Sequence, residues 1–423
     1  MSPMPRWISL GFLLAVLCAP LSAYSVLTHE AIIDTAWEQN IKPLLLKKFP
    51  QATPAELMDA HASAYAGCII QDMSYYGLGK KTFSDMVHYV RTGDFVINLI
   101  REAHTLDEYA FSLGALAHYA SDTKGHLVAV NRSVPIEYPK LERKFGKTVT
   151  YADDPIAHIK VEFSFDVLQV VRGNYAPQSY HDFIGFHVPK DSLERAFVDT
   201  YSLQITDVVK NEDRALATYR HTASSLIPKA TRVAWQLKKD ELTKMHPGIT
   251  RRSFIYNLSK ASYRKEWDGH YERPGPGSAV LAFFIRIIPK IGPLRALAFK
   301  APDGQIQRLF ETSFDQTLNE YRRLLANVGA GTLKLENLDL DTGGPTRPAE
   351  YPLADRAYAQ MAIKLADKPP QNVDPAVRDE VLNYYRDPDR PFALKKDKKQ
   401  WQQTLEALQK LRAETRTVAA AQP

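Results

Sequence analysis

The stretch Leu116-Ala-His-Tyr-Ala-Ser-Asp-Thr-Lys-Gly-His126 places two histidines and an aspartate four residues apart within an apolar-periodic run. On an α-helix, His118, Asp122 and His126 would follow one another in steps of about 40° along a single stripe. Imidazole and carboxylate are the ligand types that suit zinc or a similar borderline metal. The alternative is a helix with two partly buried histidines and a solvated aspartate. The stretch therefore predicts a helix that carries a candidate metal site.

Helical periodicity also dominates the rest of the chain, and strand alternation is scarce. The sequence therefore predicts an all-α fold. The predicted helices cover Leu27–Trp37, Pro54–Ala66, Gly93–His104, Leu106–Val130, Pro155–Arg172, Asp191–Val209, Asp213–Lys239, Gly304–Ala326, Asp355–Asp367, Pro375–Tyr385 and Lys396–Arg416. Thr28 is a candidate cap of the first helix, and Thr53-Pro54 starts the second. Glycines and prolines indicate loops over Gly67–Met86 and Gly329–Pro352.

The composition is that of an ordinary globular protein. Its 423 residues are 45% hydrophobic and 24% charged, with a formal net charge of +6. A chain of this length can bury a substantial core as one large or two ordinary domains. The positive charge suits an anionic partner, such as a phospholipid surface, a nucleic acid or a substrate that carries a phosphate.

The first 23 residues are typical of a secretory signal peptide. Arg6 precedes an apolar stretch from Trp7 to Ala19, and Pro20-Leu-Ser-Ala23 offers a small-residue cleavage site. Cleavage there would leave Cys68 as the one cysteine, so we expect no intramolecular disulfide in a secreted or periplasmic protein. The predicted division of the mature chain is a catalytic domain over 24–245 and a helical C-terminal extension of unknown role over 246–423.

No later segment is predicted to span a membrane. The nearest candidate, Ala279–Phe299, is interrupted by charges at Arg286, Lys290 and Arg295 and by two prolines. One interpretation is a buried connector between two helical layers, because the prolines break the helical pattern. The other is a peripheral contact, in which the three basic residues face anionic head groups.

Further residues of the metal-ligand types recur in the first half of the mature chain. His29 lies on the first predicted helix, and Asp72 and His88 flank the glycine-rich segment. His158 and Glu162 are four residues apart, so one helix face would bring both within reach of one ion.

The order of these residues resembles the zinc-dependent phospholipase C superfamily. That superfamily also includes the single-strand-specific zinc nucleases and the N-terminal domain of glycosylphosphatidylinositol-specific phospholipase D. The resemblance covers residues 24–170 and implies a mostly helical domain with three zinc ions. It differs at the predicted N-terminal Tyr24, where tryptophan is common. It also differs in the three residues between Asp122 and His126, where five are usual; the shorter spacing resembles the phospholipase D domain.

The resemblance also implies how the ligands are shared. One zinc would be held by Asp72, His88, His118 and Asp122, and a second by His126, His158 and Glu162. The third would be held by His29, the bridging Asp122, and the amino nitrogen and carbonyl oxygen of Tyr24.

The chemistry implied by this arrangement is phosphodiester hydrolysis, most simply phospholipase C-type cleavage of phospholipid head groups. Clustered divalent ions lower the pKa of bound water and stabilise charge on a phosphoryl group. Asp72 and Asp122 are the implied catalytic residues, with Asp72 either a general base or only a ligand.

Two other functions remain open on the sequence. A single-strand nuclease would need aromatic platforms beside the metals, for which Tyr65, Tyr75, Tyr76 and Tyr119 are candidates. A non-catalytic binding module would use the zinc ions only for stability.

Overall fold

A computed structural model describes residues 26–75, 81–172, 187–221, 300 and 302–420, together with positions 239, 240 and 243. Several predictions lie outside these residues. They are the signal peptide 1–23, Tyr24, Tyr76, residues 222–238 of the predicted helix Asp213–Lys239, the segment Ala279–Phe299 and the domain boundary at 245.

The described chain is helical, which confirms the predicted all-α fold. The first half forms α1 (Val26–Ala36), α2 (Lys42–Lys48), α3 (Pro54–Gly67), α4 (Thr82–Tyr89), α5 (Thr92–Arg101), α6 (Leu106–Gly125), α7 (Asn131–Glu137), α8 (Pro139–Phe145), α9 (Pro155–Arg172), α10 (Lys190–Tyr201), α11 (Ile205–Val208) and α12 (Glu212–His221). The second half forms α13 (Gly304–Ala330), α14 (Pro352–Ala366), α15 (Pro375–Tyr384) and α16 (Lys398–Ala420). Shorter π-helical turns cover Trp37–Ile41 and His126–Val130, and 3-10 turns cover Ile70–Tyr75, Pro370–Asn372 and Ala393–Lys396.

The described ranges contain no strand. One isolated antiparallel bridge joins Leu338 to Pro345. None of the described helices is long and apolar enough to cross a membrane.

Helix α6 is the centre of the fold. Every residue from Tyr109 to Thr123 is buried, because α3, α5 and α13 pack around it. The helix begins with a capping box, in which Thr105 and Glu108 satisfy each other's backbone N–H groups. Helix α13 is tied to α6 by the Tyr321 hydroxyl, which donates to the Leu113 carbonyl at 2.9 Å.

Two glycines allow a close crossing of α3 and α6. A Cβ on Gly114 would lie 2.1 Å from the Ala64 carbonyl oxygen, and one on Gly67 would lie 2.0 Å from that of Phe111. Each glycine therefore accepts the backbone of the opposite helix. The crossing fixes how the residues after Gly67 approach the middle of α6.

A continuous apolar core joins both halves of the described chain. It contains Leu116 of α6 and Phe197 of α10 together with Tyr321 of α13, Met361 of α14 and Leu411 of α16. Helices α13 to α16 are thus packed onto the same interior as the helices before residue 221.

The structure corrects several local predictions. The predicted helix Asp191–Val209 is two helices, α10 and α11, which are separated at residues 202–204. Gly67–Met86 is not a loop throughout, because Ile70–Tyr75 is a 3-10 turn and α4 begins at Thr82. Thr28 is not a cap, because α1 already begins at Val26. The run Leu106–Val130 is helical as predicted, but it changes from α to π at His126.

We expect Gly114→Ala to destabilise the protein. Alanine favours a helix over glycine by about 1 kcal/mol. Forcing a methyl group against a backbone carbonyl costs more, about 1–3 kcal/mol or above, because neither helix can yield without moving the other. Thermal unfolding followed by circular dichroism measures the difference.

The matched control for that variant is Gly304→Ala at the start of α13. A Cβ there has the flexible end of Arg308 as its nearest neighbour, at 3.5 Å. Gly304→Ala should unfold like the parent chain. An unchanged melting temperature for Gly114→Ala would contradict the crossing described above.

Candidate metal centre

The fold brings eight of the nine predicted ligands together beside α6, while Tyr24 lies outside the described residues. Their side chains form three groups, within each of which one ligand atom per residue lies within 4.8 Å of the others. The groups are His29 with His118 and Asp122, Asp72 with His88 and His118, and His126 with His158 and Glu162. No member is more than 2% exposed.

Asp122 lies between the first two groups. Its Oδ1 is 3.4 Å from His29 Nε2. Its Oδ2 is 3.0 Å from His118 Nε2 and 3.4 Å from His88 Nε2. Each oxygen therefore faces a different group, which is the geometry a bridging carboxylate needs.

His88 and His118 have fixed ring orientations. His88 donates from Nδ1 to the Ser84 carbonyl at 2.8 Å, and His118 donates from Nδ1 to the Cys68 carbonyl at 2.9 Å. The two Nε2 atoms consequently face each other at 3.3 Å. Such backbone acceptors select the tautomer whose other nitrogen is free to bind a metal.

The 3-10 turn after α3 places Asp72, whose Oδ1 lies 3.2 Å from His88 Nε2. Two serines clamp this turn to α4. Ser74 N donates to Ser84 Oγ at 3.0 Å, and Ser84 N donates to Ser74 Oγ at 2.9 Å. This reciprocal pair holds Asp72 and His88 at a fixed separation.

The third group combines the π-helical turn with α9. His158 Nδ1 lies 2.6 Å from Glu162 Oε1, and the rings of His126 and His158 have centroids 5.0 Å apart. His158 donates from Nε2 to Asn131 Oδ1 at 2.9 Å. The asparagine therefore leaves His158 Nδ1 facing Glu162.

Asp166 is a site residue that the sequence analysis missed. It accepts from the backbone N–H of Leu27 at 3.1 Å and of Thr28 at 3.0 Å, and from the Thr28 hydroxyl at 2.7 Å. It thereby satisfies the first turn of α1, which carries His29. The signal was present, because Asp166 follows Glu162 by the same four-residue step that separates Glu162 from His158.

The electrostatics of the cluster are dominated by burial and by mutual contacts. Burial and the stacked His118 imidazole lower the pKa of His29 to about 3, so this histidine is neutral. For Asp122, burial acts to raise the pKa, but the imidazoles of His118, His88 and His126 outweigh it and hold the pKa well below its usual range. Burial, together with Asp122 and other carboxylates, raises the pKa of Glu162 well above normal. The carboxylates thus repel one another.

The donor set fits divalent metal ions. Several buried ligand atoms have no hydrogen-bond partner among the described residues. They are both carboxylate oxygens of Asp72, Asp122 and Glu162, both ring nitrogens of His126, and Nδ1 of His158. The ion-pair partners of these carboxylates in the described chain are histidines of the same cluster. Buried carboxylates stay ionised only when other groups compensate their charge, and divalent ions bound to these atoms would do so.

One basic side chain lies at the edge of the cluster. The exposed Lys81 donates to the Tyr151 hydroxyl at 3.2 Å, and its ammonium lies 5.3 Å from the Tyr75 ring centroid. The Tyr151 ring meets His158 edge-on, with centroids 5.6 Å apart. Lys81 thus places a positive charge beside the tyrosine that contacts His158.

Three of the four tyrosines predicted as stacking platforms are buried, and the fourth, Tyr76, lies outside the described residues. Tyr65, Tyr75 and Tyr119 are 1%, 4% and 5% exposed. Their hydroxyls donate to Asp34, Asp85 and the Glu336 carbonyl, respectively. These three rings are therefore packed into the interior and do not offer open faces to a base.

The comparisons with known proteins bear on the first half of the chain. Residues 28–209 match the family model described as zinc dependent phospholipase C. All eight clustered residues lie within this match. No curated protein and no solved structure matches the chain.

Removing metal should weaken the folded state. A ligand bound only to the native chain stabilises it by about 2.7 kcal/mol per site at one hundred times its dissociation constant. We expect dialysis against a strong chelator to lower the melting temperature, and added Zn²⁺ to restore it. An unchanged melting temperature after both treatments would contradict the inference that these residues hold metal ions.

Proposed function

We propose that the chain, whose residues 28–209 belong to the zinc-dependent phospholipase C superfamily, is an exported three-zinc phosphodiester hydrolase. Its proposed reaction is phospholipase C-type cleavage of phospholipid head groups. Export to the periplasm or the medium is part of the proposal and depends on the signal peptide predicted over 1–23.

The observation that carries the proposal is the placement of Asp122. One carboxylate faces two ligand groups, one through each of its oxygens. Carboxylate-rich clusters that can hold several metals are typical of phosphoryl-transfer sites, whereas structural zinc sites usually hold one ion in a closed tetrahedron.

The proposed ligands follow the three groups. One zinc would be held by Asp72, His88, His118 and Asp122, a second by His126, His158 and Glu162, and a third by His29, Asp122 and Tyr24. When bound, such ions supply Lewis acidity for the phosphoryl group and lower the pKa of water.

The protein side chains then have separate tasks. Asp72 is the proposed proton acceptor, since both of its oxygens are buried without a hydrogen-bond partner among the described residues. Asp122 is the proposed bridge between two of the ligand groups. Lys81 attracts the anionic substrate to the cluster.

A lipid substrate is favoured over single-stranded nucleic acid. Recognition of unpaired bases depends on exposed aromatic faces, and the rings of Tyr65, Tyr75 and Tyr119 are buried. The net charge of +6 suits either anion, so it does not distinguish them.

His118→Ala and Asp122→Asn should each abolish tight zinc binding and hydrolysis, because each residue contacts two ligand groups. The measurements are zinc content by mass spectrometry and turnover of phosphatidylcholine, glycosylphosphatidylinositol and single-stranded RNA. His104→Ala is the control, since the His104 side chain is 65% exposed. Full activity in Asp122→Asn would overturn the three-metal proposal.

The same panel distinguishes the other functions. Hydrolysis of RNA alone would replace the phospholipase C proposal with the nuclease proposal. A protein that binds zinc but hydrolyses none of the three would be a zinc-stabilised binding module.

Asp72→Asn tests the general base. The amide keeps an oxygen that can bind metal but cannot accept the proton, so turnover should fall by about 10² or more. Zinc content should fall much less than turnover. Equal loss of zinc and activity would show that Asp72 is only a ligand.

A further inference from the structure

The loop between α13 and α14, residues 331–351, lies against the candidate metal centre although it is outside the matched range 28–209. Leu340 N donates to the His88 carbonyl at 3.1 Å, and the Thr346 hydroxyl donates to the Tyr89 carbonyl at 3.0 Å. These bonds attach the loop directly to the backbone of a predicted metal ligand.

The loop approaches α6 as closely as its backbone allows. Gly343 has a φ of +70°, and a Cβ there would lie 2.6 Å from the Thr123 carbonyl oxygen. Glycine satisfies both demands, since it adopts positive φ without strain and has no side chain to collide. Contact with α6, the helix that carries His118 and Asp122, therefore helps to fix the position of the loop residues on either side of Gly343.

Asp341 is the loop side chain that faces the third ligand group. It is 4% exposed. Its Oδ2 accepts from the hydroxyls of Tyr89 at 2.8 Å and Tyr351 at 2.5 Å. Its Oδ1 points instead to His126, 3.5 Å from the ring Nδ1. The two tyrosines thus orient the carboxylate so that one oxygen faces the histidine.

Asp341 is also joined to the other histidine of this group. The Asn131 amide donates to the Asp341 carbonyl at 2.7 Å while its oxygen accepts from His158 at 2.9 Å. One asparagine therefore connects the loop backbone to the ring of His158.

Three of the clustered histidines each donate a hydrogen bond from the ring nitrogen that faces away from the proposed metal. Asp341 is the group that could accept such a bond from His126. His88 and His118 each donate one ring N–H to a backbone carbonyl, and His158 donates to Asn131. Neither nitrogen of His126 has a hydrogen-bond partner in the described chain. The group facing its Nδ1 is the Asp341 carboxylate. Carboxylates in this position commonly orient metal-binding histidines.

We propose that Asp341 is a positioning residue for the metal site of His126, His158 and Glu162. It accepts the Nδ1–H of His126, which selects the tautomer whose Nε2 binds the metal. The inference rests on the proposed metal centre but does not depend on the proposed substrate.

The neighbouring Asp339 does not share this role. Its Oδ1 accepts from the backbone N–H groups of Asp341 at 2.9 Å and Thr342 at 3.2 Å. It closes the turn that presents Asp341.

The test is metal retention by the full-length mature chain carrying Asp341→Asn. The asparagine oxygen would still accept from Tyr89 and Tyr351, so its NH₂ group would face the Nδ1–H of His126. The contact would then change from attractive to repulsive. We expect one of three zinc ions to be lost at a chelator concentration about 10–100 times lower than in the parent chain. The other two should be retained.

A second measurement reports on the Nδ1–H proton of His126. In the cobalt-substituted protein, ring N–H protons of metal-bound histidines give paramagnetically shifted NMR signals in H₂O that vanish in D₂O. One such signal should exchange faster with solvent in Asp341→Asn, and the others should not change.

The matched control is Asp355→Asn. Asp355 is 1% exposed and accepts from the Tyr384 hydroxyl at 2.8 Å and from Ala349 N at 2.9 Å, without contact to a predicted ligand. Parent-like zinc retention in Asp341→Asn, or equal zinc loss in Asp355→Asn, would overturn the inference. A parent chain without tight zinc would overturn the proposed function and this inference with it. A parent chain that binds three zinc ions but hydrolyses nothing would overturn only the proposed function.

Discussion

The burial of negative charge at the centre of the fold is the constraint on which the rest of the structure depends. Asp72, Asp122 and Glu162 are fully buried, and their ion-pair partners in the described chain are imidazoles. Neutral imidazoles cannot compensate three carboxylates, and protonated ones would lose the lone pairs that the site needs. Bound divalent ions would resolve this conflict, because they would neutralise the carboxylates and use the same lone pairs. Folding and metal binding are therefore expected to be linked.

The packing around this charge is correspondingly tight. The glycine crossing of α3 and α6 lets the chain after Gly67 pass close enough for the Cys68 carbonyl to reach His118. The next turn then presents Asp72, and the paired serines at 74 and 84 fix it relative to α4. The close approach that Gly67 and Gly114 permit therefore helps to position His118 and Asp72.

Helical spacing predicts contacts between residues close together in the sequence, whereas only the family resemblance predicts a distant contact such as that of His29 with Asp122. Spacing alone places His158 beside Glu162, and helical periodicity gives the bounds of α9 to the residue. The sequence does not reveal the helix within segment 67–86, because α4 is too short to display a period and the glycines favour a loop. The π-helical turn at His126 has no sequence signal comparable to a cap. Asp341 contacts a histidine more than two hundred positions earlier, and only the folded loop brings them together.

That long-range contact changes how the two halves of the chain relate. A family match ending at residue 209 would suggest a self-sufficient domain followed by an appendage. Yet α13 packs on α6, the loop after it bonds to the His88 carbonyl, and Asp341 fills the space beside His126. A chain cut before α13 would expose the apolar face of α6 and leave His126 without its facing carboxylate. The segment after the match therefore lines one side of the candidate metal centre.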